Sequence, residues 1–460
     1  MALGEALLRE LRALFGADGV AIDAATRLAY GYDNSRRQAA ADAVVFPTTH
    51  EQVCALVRAC RAARTPLVAR GRGTNTTGAT VPVDGGVVAS FERMNRILRI
   101  DAANRYAVVE PGVLNGALQA ALACEGFFWA PDPTSSPFCS VGGNLACNAA
   151  GPRAVKYGST RENTLGLRAV AGSGEAFRCG VYTSKGAVGY DLTRLLIGAE
   201  GTLALITEAT LKLTPLPAAR RTLAATYADI GAATAAVARL MAQPVTPCAL
   251  EFLDEECLRL ARRVGGDAIP QAGALLVIEV DGEEATLPAA VAAVSRAARG
   301  GGLLTLQAAS DAAEVERLWA ARRALSPALR QLAPNKINED VVVPVSCLPE
   351  LAAGLKRLVA THGIPIVAFG HAGNGNIHVN LLYRPEDAAQ AAAAPACLTQ
   401  LFDLVLGLDG TLSGEHGIGL VKREFLTRAV DPHALDLMHR IKAQFDPDGI
   451  LNPGKLLPRG

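Results

Sequence analysis

A chain of 460 residues, half of them apolar and 19% charged, has the composition of a globular protein with two or three cores, not of a disordered one. Its 45 basic and 44 acidic side chains leave a net charge of +1, which excludes a broad electrostatic footprint for nucleic acid but not a local basic pocket. None of the ten cysteines forms a C-x-x-C pair, which argues against an iron–sulfur cluster or zinc ribbon; their apolar surroundings fit buried thiols in a reducing compartment.

No secretory signal is expected from the opening residues, and no run of 18 apolar residues is present, so no bilayer-spanning helix is expected. "EALLRELRALFG" sets Leu7, Leu8, Leu11, Leu14 and Phe15 at helical spacing, which predicts a surface helix docked on the body. "AVVF" reads as a strand. Thr48 with Glu51, or Thr49 with Gln52, fits a capping box. A helix to about Ala63 and the strand "PLVAR" then complete a βαβ unit ending in a glycine-rich loop. "LNGALQAALACEG" predicts a helix closed by Gly126. The stretch "PDPTSSPFCSVGGNLACNAAGPRAVKYGST" is dense in Gly, Pro, Ser and Asn; it reads as structureless, and such stretches are usually functional. "LRAVAGSGEAFRCG" predicts a hairpin turning at Gly172-Ser173-Gly174. "YDLTRLLIGAEGTLALITEATLKLTPLP" reads as a helix, a glycine turn and a strand, with the main domain boundary at its prolines 215 and 217. Beyond it, "GAATAAVARLM", "LPAAVAAVSRAAR" and "LPELAAGLKRLVATHG" look helical, and "ALLVIEVDG" and "IPIVAFG" look like strands. That alternation predicts an α+β sheet with helices on one face. "DAAQAAAAPA" reads as a solvent helix.

"RGRGTNTTG" approaches the G-x-G-x-x-G fingerprint, but Thr76 stands where the third glycine belongs and no helix follows, so a conventional NAD site is not expected. Gly71, Gly73 and Gly78 can still present backbone N–H groups to an anion, with hydroxyls from Thr74, Thr76 and Thr77; a plain glycine turn is the alternative. Two further glycine segments, "SVGGNLACNAAG" and "GAEGTLA", favour one dinucleotide gripped by several loops. "GHAGNGNIHVN" places His371 and His378 around a glycine-rich turn between strands, where they are either metal or catalytic groups or structural histidines. "GEHGIG" adds Glu415 and His416; two imidazoles and a carboxylate leave open positions on a metal.

Together, "FPTTHEQV", "ARGRGTNTTGA", "VEPGV", "SVGGNLACNAAGPRAVKYG" and "GAEGTLALITEATLKL" resemble the FAD-binding (PCMH-type) domain of the vanillyl-alcohol-oxidase type. "GHAGNGNIHVN", "GTLSGEHGIGLVKREFL" and "FDPDGILNPGK" resemble the matching FAD-linked oxidase C-terminal domain. The pattern is similar to D-lactate dehydrogenases, the FAD subunit of glycolate oxidase and D-2-hydroxyglutarate dehydrogenases. The resemblance implies an α+β chain in three parts: an N-terminal helical segment 1–37, a two-part FAD-binding domain 38–217, and an α+β substrate domain 218–460 whose C-terminal segment returns to the flavin. It implies FAD contacts from Arg70, Gly71, Arg72, Gly73, Thr74, Asn75 and Gly78 near the pyrophosphate. Ser140, Gly142, Gly143, Asn144 and Asn148 would line the flavin, Gly201 and Ile206 the adenine side, and Asn452 would approach the flavin. Some members tether FAD through a histidine in the first loop; Thr74 stands there, so non-covalent FAD is expected, with Cys147 a packing thiol and, as the alternative, a tether.

The resemblance further implies His371, His378 and Glu415 as ligands of a divalent metal (Zn, Mn or Fe), His416 as general base, and Arg322, Ser326, Lys336 and Asn380 as substrate contacts. A helix-surface charge is the alternative for Arg322. The implied reaction is oxidation of a D-2-hydroxy acid, D-lactate-like, to the 2-keto acid by hydride transfer to FAD. Glycolate and D-2-hydroxyglutarate fit the same chemistry, and a non-catalytic FAD-binding electron-transfer subunit is the alternative of another class. The implied electron acceptor is a quinone, a cytochrome or a separate iron–sulfur protein. A cytoplasmic chain is expected, with room for peripheral membrane contact and for a homodimer.

Overall fold

The computed structural model describes residues 3–265, 270–329 and 332–458. Its chain divides into two compact units, one of residues 1–151, 158–216 and 415–460, the other of residues 152–157 and 217–414.

In the first unit, "AVVF" gives the strand Ala43–Val45, and Thr49 caps the helix His50–Ala62 by accepting from the Gln52 N–H. Gln52 reaches back to the Thr48 N–H at 2.8 Å, so the box is split between two threonines. Leu67–Arg70 follows, and Val87–Ser90 inserts between the two strands, parallel to both. With Val20–Ala21 these make a four-stranded sheet. A five-stranded antiparallel sheet runs Ile97–Asp101, Tyr106–Val109, Ala204–Lys212, Thr164–Ala171, Ala176–Gly180. Val53, Leu56, Val57 and Cys60 of the His50–Ala62 helix share one buried cluster with Leu67, Val87, Val170 and Leu205, so this helix is packed between the two sheets. Helix Glu5–Phe15 joins that cluster through Leu7 and Leu11.

The expected division at 1–37, 38–217 and 218–460 differs from the observed one in three ways. Residues 1–37 are not a separate part, since Val20–Ala21 is a strand of the four-stranded sheet. Residues 152–157 belong to the second unit, where Lys156 Nζ and Tyr157 Oη bond the Asp281 carboxylate at 2.5 and 2.8 Å. The C-terminal segment returns as expected, but as the whole of residues 415–460, which group with the first unit and not with 218–414: Leu67 N–H donates to Ile450, and Asn452 N–H donates back to Leu67. The stretch expected to be structureless contains helix Val141–Cys147, because the Ser140 hydroxyl caps it by accepting from Gly143 N–H.

The second unit is built on a seven-stranded antiparallel sheet. Its order is Leu303–Ala308, Ala219–Tyr227, Ala274–Gly282, Ala249–Asp254, Ile366–His371, Asn376–Tyr383, Asn335–Val342. Helices cover both faces, not one. Leu253, Leu275, Val277, Val367, Phe369 and Leu382 point to one side and pack with Leu258 and Leu325 of helices Glu255–Gly265 and Ala312–Ala328. Leu276, Ile278 and Val280 alternate to the other side, also buried, where helices Ile230–Met241 and Leu287–Ala298 lie. The near-continuous apolar run "ALLVIEV" is what a strand buried on both faces requires. "DAAQAAAAPA" opens a 20-residue helix, Ala388–Gly407, long and apolar enough by length and composition to cross a membrane. Here Cys397, Leu401, Phe402 and Val405 are buried within the unit, and its Gln400 meets His362 at 3.0 Å.

Candidate active site

The two histidines of the second unit are positioned by a hairpin. Strands Ile366–His371 and Asn376–Tyr383 pair in antiparallel register, with His371 opposite Asn376 and His378 opposite Phe369. Gly375 makes the turn at φ 72°, and a Cβ there would lie 1.9 Å from the Val343 carbonyl oxygen, so only glycine fits. Residues two apart on a strand share a face. His371, His378 and Asn380 therefore lie on one side of the sheet, and register places Glu251 beside His371, Asp340 beside His378 and Lys336 beside Leu382 on that same side. The imidazole rings stand edge to face, 5.3 Å between centroids, both buried.

Glu251, fully buried, accepts from His371 Nδ1 and from Arg322 Nε, each at 2.6 Å. Burial would push its carboxyl pKa up, but the charges of His371 and Arg322 and their hydrogen bonds outweigh burial and hold it below the usual range. Arg322 is buried, not a helix-surface charge, and its guanidinium lies 4.6 Å from the Phe369 ring centroid. Asn380 has its amide N–H₂ on the carbonyls of Val367 and His378, while its buried Oδ1 has no hydrogen-bond partner among the described residues. Lys336 is half-buried on the edge strand. Ser326 falls on the Ala312–Ala328 helix, and its side chain lies outside the described residues. Asp340 accepts from the Ser413 hydroxyl and the Gly414 N–H, fixing the chain one residue before Glu415.

In the first unit, the glycine loop and the loop carrying His416 are stitched together. Asn75 Oδ1 closes the turn by accepting from Thr77 N–H at 2.8 Å, and its Nδ2 donates to the His416 carbonyl at 2.8 Å and to Cys147 Sγ at 3.3 Å. Thr77 O accepts from Leu420 N–H at 2.8 Å. Gly73 and Gly78 adopt positive φ. A Cβ on Gly71 would sit 2.6 Å from the Ser140 hydroxyl, so the first and second glycine segments meet at backbone distance. Gly142 packs as closely on Pro111, and Gly143 supplies the capped N–H.

The remaining expected FAD residues are placed as follows. Arg70 is buried, bonds Tyr32 O at 2.7 Å and lies against Gly73. Arg72 is 3.5 Å from Glu92, and Thr74 is half-buried. Asn144 pairs with Asn115, and Asn148, in left-handed backbone, accepts from the Ser159 hydroxyl and Arg161 N–H. Gly201, at φ 70°, follows Glu200 in the third glycine segment, and Ile206 packs into the five-stranded sheet's core. Asn452 Nδ2 bonds Ala79 O and Glu200 O, and Lys455 Nζ donates to its Oδ1. Glu200 is buried and receives N–H groups from Ile418 and Gly419.

The donor chemistry fits the groups the loops imply. Thr76 Oγ is buried in the glycine loop with no hydrogen-bond partner among the described residues, an orphan a bound dinucleotide would satisfy. His371 has Nδ1 engaged by a carboxylate, the arrangement that leaves Nε2 to ligate a metal. Glu251, Asp340 and Glu200 were not singled out from the sequence. The signal for Glu251 is an acid at an interior-facing position of the apolar strand "ALEFL".

These features define a flavin-dependent oxidoreductase. Residues 41–180 match the FAD binding domain, and residues 216–456 match the FAD linked oxidases C-terminal domain. The chain is 37% identical over 437 residues to glycolate oxidase subunit GlcD of Bacillus subtilis, covering 95% of this chain and 93% of that one. It is 33% identical to D-2-hydroxyglutarate dehydrogenase of Stutzerimonas stutzeri, covering 98% of each. Among solved structures, p-cresol methylhydroxylase with substrate bound superposes with a TM-score of 0.80 at 18% identity, covering 98% of this chain and 96% of that one, a likeness of fold. The chain belongs to the FAD-linked oxidases of the D-lactate, glycolate and D-2-hydroxyglutarate dehydrogenase family.

Proposed function

We propose that this chain is a dehydrogenase that oxidises a D-2-hydroxy acid, D-lactate-like, to its 2-keto acid. The observation that carries the reading is the polar end of one sheet face in the second unit, where His371, His378, Asn380 and Lys336 share a side and Arg322 is anchored next to His371 through Glu251. His371, His378 and Glu415 offer one donor atom each to a divalent metal. When bound, FAD supplies the hydride acceptor and the metal a Lewis acid on the substrate hydroxyl. His416 takes the hydroxyl proton on its ring. Asn75 holds the His416 carbonyl, fixing the base's backbone. Arg322, with its planar fork, holds the substrate carboxylate, and Lys336 and the Asn380 Oδ1 orient the acid. FAD is held without a covalent bond, and the electrons leave to a quinone, a cytochrome or a separate iron–sulfur protein.

The test is anaerobic flavin bleaching by a panel of D- and L-2-hydroxy acids, including glycolate, D-lactate and D-2-hydroxyglutarate, with and without chelator. Bleaching by D-acids that is lost on metal removal is expected. Bleaching by L-acids alone, or full activity after verified metal removal, overturns the reading. His416→Asn should keep FAD and slow flavin reduction about 10²-fold or more.

A further inference from the structure

Glu251 has no part in the chemistry described above, yet it touches two of the side chains that do. It lies directly across the ladder from His371, one strand inward, on a strand where Ala249, Leu250, Phe252 and Leu253 around it are apolar and buried. A carboxylate with no exposure keeps its charge only if both oxygens are used. One oxygen accepts from His371 Nδ1 at 2.6 Å and the other from Arg322 Nε at 2.6 Å. Each bond selects a state of its donor. A carboxylate on Nδ1 requires the proton there, so the lone pair of the neutral ring is on Nε2, and the ring cannot turn without losing the bond. A carboxylate on Nε takes one edge of the guanidinium, the Phe369 ring takes its face, and the Nη pair is left as the edge for another anion.

We infer that Glu251 is a positioning residue that sets, through one buried side chain, both the metal-ligating nitrogen of His371 and the carboxylate-binding edge of Arg322. This rests on the metal and substrate reading given above. It predicts that metal affinity and substrate affinity fall together when Glu251 is changed, although Glu251 contacts neither ligand.

The experiment uses the full-length, FAD-loaded protein stripped of metal. Zn²⁺ affinity is measured by competition with a chromophoric chelator for the wild type, Glu251→Gln, His371→Ala and Leu253→Ala. Leu253→Ala opens a gap in the core face of the same strand, two residues away. Glu251→Gln is expected to bind Zn²⁺ about 10- to 100-fold more weakly than the wild type. It should also raise KM about tenfold or more for the acid that bleaches the flavin fastest, with FAD content unchanged. Leu253→Ala should lower thermal stability and leave Zn²⁺ affinity within about twofold of the wild type. Wild-type Zn²⁺ affinity in Glu251→Gln overturns the inference, as does an equal loss in Leu253→Ala. Equal Zn²⁺ binding by the wild type and His371→Ala sinks the metal reading itself, a distinct outcome. If Glu251→Gln does not fold, the wild type decides: ¹⁵N-histidine NMR should show a strongly downfield Nδ1–H proton that disappears in His371→Ala. Its absence overturns the inference.

Discussion

Replacing Glu200 with glutamine should remove a pH dependence from the stability of the first unit. Burial pushes the Glu200 carboxyl from its ordinary 4.5 up to about 7, against the pull of the Ile418 and Gly419 N–H groups and of Lys422 and Lys455. A carboxyl whose folded pKa is raised stabilises the fold most when protonated. Its contribution is full below pH 4.5, is lost as pH climbs to about 7, and is flat above. That interval is worth about 3 kcal/mol, at roughly 1.4 kcal/mol per pH unit. Lys455, which burial pulls down to about 8, works in the opposite sense, with stability rising above that pH. The quantity to measure is therefore the difference in urea-unfolding free energy between the wild type and Glu200→Gln, from pH 4.5 to 8. Glutamine keeps an acceptor for the two N–H groups and has no charge to titrate. The difference should move by about 3 kcal/mol in favour of the variant as pH rises to 7. A difference that does not change with pH would refute the reasoning.

Gly375→Ala should cost roughly 3 kcal/mol or more and reduce metal uptake, because the methyl must displace the Val343 carbonyl that it meets at 1.9 Å; thermal melting and metal analysis check it. Gly71→Ala should lower FAD occupancy with the second unit intact, since the methyl pushes the Ser140 hydroxyl off the Gly143 N–H; absorbance of the purified protein at the flavin band reads this. Asp340→Ala frees Ser413 and Gly414 and should weaken Zn²⁺ binding without changing FAD content, measured by chelator competition.

Local elements were readable because local signals made them. The capping threonines, the Gly126 stop and the hairpin at 172–174 each lie within a few residues of the element they shape. The histidine turn was readable for the same reason: both imidazoles sit on one hairpin. Glu251 was not, because its partners lie 71 and 120 positions away and only strand parity turns it toward them. Helices on both faces of the large sheet were missed although "ALLVIEV" carries the sign, an apolar run without alternation. The glycine-rich segment at 131–160 hid a helix because composition alone does not show that Ser140 is a cap. The return of the C-terminal segment was expected from its resemblance alone; its start at 415 rests on pairs such as Leu67 with Leu451, which no local pattern announces.

That return has a consequence for how the chain is made. Strand Leu67–Arg70, which leads into the glycine loop, gains its last hydrogen-bonded neighbour only from residues 450–452. Lys442 also reaches back to the Thr202 carbonyl near the third glycine segment. On the ribosome, domains close as their residues emerge. All of 217–414 is therefore out and able to fold while the nucleotide-gripping half, although its first residues emerge earlier, still lacks residues 415–460. A nascent chain stalled or clipped shortly before Ile450 would carry a finished second sheet and an open dinucleotide cradle.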